Sequence, residues 1–140
     1  MKQYLFLLTV LLLAGCSLLD SSGDKPNKVT FTVDQKSYAL GQTIMATLAN
    51  DSNNPVTYNL CMTQLQQHRN GEWTNVAPSA ACNAIAMVLK PGAKESYRLD
   101  PGKLIEASEG RYRLITDVGI REESKDLTTA AFRLSATIQQ

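Results

Sequence analysis

The sequence predicts an all-β fold of packed antiparallel sheets, and three observations carry that prediction. Four segments show apolar residues at every second position, the pattern of strands with one buried face. Turn-forming clusters punctuate the chain between them. The 140 residues are 44% hydrophobic with a net charge of +1, enough apolar material for one compact core. That charge balance also excludes a large basic footprint for nucleic acid.

The elements follow in order. Val29, Phe31 and Val33 alternate with Thr30 and Thr32. Ile44, Ala46 and Leu48 alternate with Thr43, Met45 and Thr47. Val56, Tyr58, Leu60 and Met62 share a face, but the apolar position then moves to Leu65, which a bulge or a strand break near Thr63 explains. Glu72-Trp73-Thr74, Ile85 to Leu89 and Ser96 to Leu99 are weaker strands. Tyr112, Leu114, Thr116 and Val118 form one strong face, and Ala130, Phe132, Leu134, Ala136 and Ile138 another. Turns are expected at Asn50 to Pro55, Pro91-Gly92 and Pro101-Gly102, and Asn70-Gly71 is a hairpin signal. About seven strands at this spacing over residues 29–140 predict an immunoglobulin-like antiparallel β-sandwich. Tyr112, at the start of its strand, is either a core aromatic or a tyrosine corner whose hydroxyl turns back onto the preceding connection.

Ahead of the domain, Leu5 to Ala14 form an apolar run after Lys2. As a helix it spans about 15 Å, half a bilayer core, which suits an export signal and not a membrane span. The run ends in Leu13-Ala14-Gly15-Cys16. This junction resembles the lipobox of bacterial lipoproteins. The resemblance implies cleavage before Cys16, a diacylglycerol on its thiol and fatty acylation of its new amino group. Residues 1–15 are then a signal peptide. Residues 16–28 are the lipidated cysteine and a polar tether, able to extend to roughly 40 Å. Ser17 in the next position implies transport to the outer membrane, by resemblance to enteric-type lipoproteins.

The mature part resembles the small bacterial Ig-like domains of exported proteins. The matching residues include Tyr38-Ala39-Leu40-Gly41, Leu48-Ala49-Asn50-Asp51-Ser52, Val56 to Cys61, Gly71-Glu72-Trp73, Leu89-Lys90-Pro91-Gly92 and Gly110 to Leu114. The intracellular protease-inhibitor domains of bacilli share a looser version of the same strand-and-turn grammar. These are packing and turn residues, so the resemblance speaks to fold more than to activity.

With Cys16 assigned to lipid, Cys61 and Cys82 remain, 21 positions apart. In an oxidising compartment they allow one intramolecular disulfide, tying the third strand to the segment before Ile85. A redox pair or a soft-metal site are the alternatives, and no Cys-x-x-Cys spacing favours the first. Catalysis by a nucleophile needs a base and an orienting group. The single imidazole, His68, sits in the polar stretch Gln66 to Asn70 beside a turn and reads as a solvated rim residue. Met45, Met62, Met87 and His68 are scattered without copper-ligand spacing, and core packing is the simpler role for the methionines. Asp51, Asn53 and Asn54 alternate oxygen ligands suited to calcium, but they also suit a turn. The sequence thus predicts no catalytic residues, no metal and no cofactor.

The expected function is non-enzymatic: a lipid-anchored envelope module that binds another envelope protein or a polymer, or that serves structurally in a larger assembly. Inhibition of a protease is the alternative, with the stretch Pro78 to Ala81 held by the disulfide. In the expected fold, the connections after the second and sixth strands leave the sandwich at one end. The candidate binding residues are therefore Asn50, Asp51, Asn53 and Asn54 in one, and Arg121, Glu122, Glu123 and Lys125 in the other. The second connection, Ile120 to Asp126, reads as a solvated loop of mixed charge. The tether is expected to enter at the same end.

Overall fold

The structure is a computed structural model and describes residues 28–76, 82–83, 85–104 and 108–136. The expected signal peptide, Cys16, the tether up to Asn27, the Pro78 to Ala81 stretch and the strand end at Ile138 lie outside these residues. In chain order the strands are β1 (Val29–Val33), β2 (Ser37–Ala39), β3 (Ile44–Asn50), β4 (Val56–Tyr58), β5 (Gln64–Arg69), β6 (Glu72–Asn75), β7 (Met87–Leu89), β8 (Lys94–Leu99), β9 (Gly110–Ile120), β10 (Glu123–Thr128) and β11 (Phe132–Ser135). One sheet has the order β1-β3-β8. The other runs β2-β11-β9-β4-β7, with β10 and β5 also along β9 and β6 beyond β5. The registered pairs are antiparallel except β2 with β11, which is parallel. This is the all-β, immunoglobulin-like sandwich that the alternation predicts.

The count exceeds seven because long strands are interrupted. The first crosses between sheets after Val33, and Tyr38 clamps the crossing. Its hydroxyl donates to Asp34 Oδ1 at 2.5 Å and accepts from the Gln35 amide at 3.1 Å. Burial, reinforced by the Asp34 carboxylate, pushes this phenol well above its ordinary range. The Tyr38 ring meets Phe132 edge-on at 5.4 Å, and Phe132 stacks against Tyr112 at 6.3 Å. These three aromatics join β2, β9 and β11 at the core.

The strand from Val56 breaks, as the parity shift at Leu65 requires. A 3-10 turn, Leu60–Met62, separates β4 from β5. Tyr58 pairs with Val118 and Gln64 with Ile115, so six steps on one strand face three on the other. The turn absorbs the three extra residues and rotates Met62 outward, where it is 51% exposed. Met87 is 55% exposed on β7. Core packing is therefore wrong for both methionines, and Met45 is only half-buried. The strand expected from Ile85 starts at Met87 instead, and Ile85 is exposed.

At Asn70-Gly71 the φ angles of 52° and 87° give the two-residue hairpin that this dipeptide favours, with His68 opposite Trp73. Tyr112 is a tyrosine corner: its hydroxyl donates to the Ser108 carbonyl at 2.8 Å.

Two expectations at the other end of β9 are corrected. Ile120 to Asp126 is not a loop. Arg121 and Glu122 make a two-residue turn with φ of 50° and 70°, and β10 then pairs back along β9. The strand expected from Ala130 begins at Phe132 instead, after a break from β10. Thr128 faces Ile115 and Phe132 faces Tyr112, four steps against three, so one extra residue bulges out between β10 and β11. Buried Thr129 closes the gap. Its amide donates to the Leu114 carbonyl at 2.9 Å, and its Oγ1 accepts from the Leu114 amide at 3.0 Å.

Candidate functional site

The connection after β3 is built on Asn50, the last strand residue, which is 0% exposed. Its Nδ2 donates to the Leu89 carbonyl at 2.9 Å and to the Asn54 carbonyl at 2.8 Å. Its Oδ1 accepts from the Ser52 amide at 3.1 Å and the Ser52 hydroxyl at 2.6 Å. Such a network replaces the backbone partners that a turn lacks. Asn50 therefore braces the loop from inside, a correction to its expected place among surface binding groups. Asp51 and Asn53 are exposed and Asn54 is half-buried. Ser52, buried beneath them, also holds the Asn54 amide at 3.2 Å. Among the described residues no three His, Cys, Asp or Glu side chains converge as a metal site.

The β9–β10 hairpin arrives at the same end. Val29, Ser52, Asn54, Ile120, Arg121, Glu123, Ser124 and Lys125 line a concavity of about 450 Å³. A second hollow of about 470 Å³ lies against Pro55, Thr57 and the hairpin tip, including Glu122. The two expected connections are thus brought together, with the exposed hairpin tip standing between two shallow hollows. Val29 in the lining and the Asp51 amide on the Lys28 carbonyl, at 2.9 Å, place the chain's entry into the domain here too. Arg121 and Glu122 are consecutive non-glycine residues in the left-handed region, which costs each about 1–2 kcal/mol. Residues held so are common where a side chain must be presented.

On the opposite edge of β9, Cys61 and Cys82 form the expected disulfide, with Cα atoms 5.7 Å apart. It pins the 3-10 turn between β4 and β5 to the segment before β7. Nearby, the Asn59 side chain donates to the Asn83 carbonyl at 2.9 Å.

The comparison with known families agrees with this geometry. The family model described as a bacterial Ig-like domain matches residues 25–133. The chain belongs to this family. No curated protein matches the sequence. Among solved structures, the structural-genomics target SoR45 is similar at 14% identity and a TM-score of 0.47, covering 77% of this chain and 83% of that one. The PapD-like domain 7 of human CEP192 is similar at 14% identity and a TM-score of 0.36, over 81% and 91% of the two chains. The sporulation control protein Spo0M of Bacillus subtilis is similar at 10% identity and a TM-score of 0.40. That match covers 79% of this chain and 49% of that one.

A bacterial Ig-like domain is a module of a non-catalytic kind. In this one His68 is half-buried on β5, its ring 4.9 Å from that of Trp73. Trp73 also carries the Arg113 guanidinium at 4.4 Å and that of Arg111 at 5.9 Å. Reading the sequence for sites misses this outward face of the larger sheet. The only signal for it is the alternation of Arg111 and Arg113 between core residues, which by itself marks a wet strand face.

Proposed function

We propose that this bacterial Ig-like domain is a lipid-anchored, non-enzymatic binding module of the cell envelope. Cys16 carries the lipid, residues 16–28 form the tether, and the outer membrane is the destination that Ser17 implies. The observation that carries the reading is the Leu13-Ala14-Gly15-Cys16 junction after an apolar run too short to span a bilayer. The docking end is the loop Asp51 to Asn54 with the hairpin tip Arg121 to Lys125. A rigid sandwich presents this end, and its surface side chains can vary without disturbing the core. The partner is an envelope protein or polymer near the membrane of origin, since the tether enters beside the tip. Protease inhibition is the second reading, because the disulfide borders the Pro78 to Ala81 stretch.

Two variants test the proposal in intact cells. Cys16→Ala is expected to abolish metabolic lipid labelling and to release the protein or hold it as precursor. Normal labelling and membrane retention overturn the anchor. Charge reversal of Arg121, Glu122, Glu123 and Lys125 together is expected to change stability by no more than about 0.5 kcal/mol, while crosslinking to the partner falls. An unchanged crosslink pattern in that folded variant removes this end of the domain as the docking site. Tight loss of a protease's activity on adding the purified protein favours the second reading.

A further inference from the structure

Arg111, Arg113, Ile115 and Asp117 alternate along β9 with the buried Tyr112, Leu114, Thr116 and Val118, so they share its outward face. Arg133 of β11 lies directly opposite Arg111. Asp126 of β10 lies directly opposite Asp117. Like charges facing each other across a strand pair are destabilising. Among the described residues neither arginine has an ion pair, nor has either aspartate; the Asp117 carboxylate accepts from the Ser124 hydroxyl. One face therefore holds two unfavourable pairs of opposite sign, roughly 20 Å apart along β9.

We propose that a second copy of this chain docks on this face, antiparallel, with Arg111 and Arg133 of each copy meeting Asp117 and Asp126 of the other. A two-fold axis between the sheets and perpendicular to β9 reverses the strand direction and preserves position across the sheet. Because β10 and β11 lie along the same edge of β9, Arg133 then falls on Asp126 while Arg111 falls on Asp117. Arg113 crosses Ile115. The alternative axis, parallel to β9, sets arginine on arginine and aspartate on aspartate, so charge alone selects the orientation. A purely acidic partner satisfies the arginines and leaves the aspartate pair facing like charge. A basic one does the reverse. A surface with both pairs at matching spacing and opposite order satisfies all four, and the chain's own face is such a surface.

The centre of the face is already ordered. Arg113 Nε donates to Gln66 Oε1 at 2.7 Å, Gln66 Nε2 to Asn75 Oδ1 at 2.9 Å, and Asn75 Nδ2 to Gln64 Oε1 at 2.7 Å. Side chains held in this way lose less freedom on docking.

Sedimentation equilibrium of the full-length chain, in detergent with micelles in excess, tests the proposal. The native protein is expected to dimerise, more weakly as salt rises. Two reversals are compared with it: Arg111→Asp with Arg133→Asp, and Asp117→Arg with Asp126→Arg. Each is expected to raise the dimer dissociation constant by about tenfold or more, because like ends then meet. An equal mixture of the two is expected to recover dimers, since each supplies what the other lacks. Unchanged melting temperatures show that the variants fold; should a reversal unfold, Arg111→Gln with Arg133→Gln gives the weaker effect of the same sign. A monomeric native protein, reversals that dimerise like it, or a mixture that stays monomeric overturns the proposal. So does loss of a different acidic partner from a native monomer. None of these outcomes depends on Cys16 or on the hairpin tip.

Discussion

Asn50→Ala lowers the stability of the domain by about 2–4 kcal/mol. The side chain is fully buried and its amide is the hydrogen-bond partner of the Leu89 carbonyl, 39 residues away on β7. Removing it strands that carbonyl in the interior, where an unsatisfied group costs about 1–3 kcal/mol. The Ser52 hydroxyl and amide lose their acceptor as well. Asn50→Asp is no rescue, because a carboxylate offers nothing to donate to the Leu89 and Asn54 carbonyls. Asn53→Ala, on an exposed position of the same loop, stays within about 0.5 kcal/mol of the native protein. Urea titrations check both, since a shifted midpoint at unchanged slope reports stability alone. A shift below about 0.5 kcal/mol for Asn50→Ala would falsify the bracing role.

Cys61→Ser costs on the order of 2–5 kcal/mol, with about 3 expected from chain entropy alone. The bridge closes a loop of sequence separation 21. It also anchors the 3-10 turn, which lies exposed between two halves of one strand and packs only Leu60 into the core. The double variant Cys61→Ser with Cys82→Ser should match the single one, because one bridge is lost in either case. Denaturing the native protein with and without reductant provides the check. Reductant must bring its midpoint down to that of the variants; coincident native curves in the two conditions contradict the assignment. Activity of the docking end should survive, since the disulfide lies along the opposite edge of β9.

What was legible in the sequence is what depends on nearest neighbours along the chain. The alternation in β1, β3 and β9 needs only a strand with one wet face, and Asn70-Gly71 needs only its own φ preferences. Tyr112 was readable as a corner because its partner, Ser108, is four residues away. β10 was not, for two reasons. Arg121-Glu122 lacks the glycine or asparagine that usually marks such a turn, and Glu123 to Asp126 are all exposed, leaving Leu127 as the strand's single buried residue. Asn50 reads as a turn residue from its composition, and only the distant Leu89 carbonyl shows that it is core. Met62 kept its apolar parity on paper, but the 3-10 turn changed the period from two before reaching it. The two connections of the candidate site were identifiable as meeting at one end. The arginine and aspartate pairs were not, because strand register sets them across 22 and 9 positions of sequence.

The extra residue between β10 and β11 acts on the strand as a single-base insertion acts on a reading frame. Asp126 and Arg133 are separated by an odd number of positions, so in an unbroken strand they would face opposite ways. The bulge shifts the phase once, and over Phe132–Ser135 each side chain is assigned to the other side. Phe132 and Leu134 reach the interior, and Arg133 reaches the same outward surface as Asp126. A deletion of one residue here would set three steps against three and remove the bulge, leaving Phe132 opposite Tyr112 and still inside. With the extra residue in place, only the bulge keeps the phase: an unbroken strand would set Ala131 opposite Tyr112 and turn Arg133 into the core.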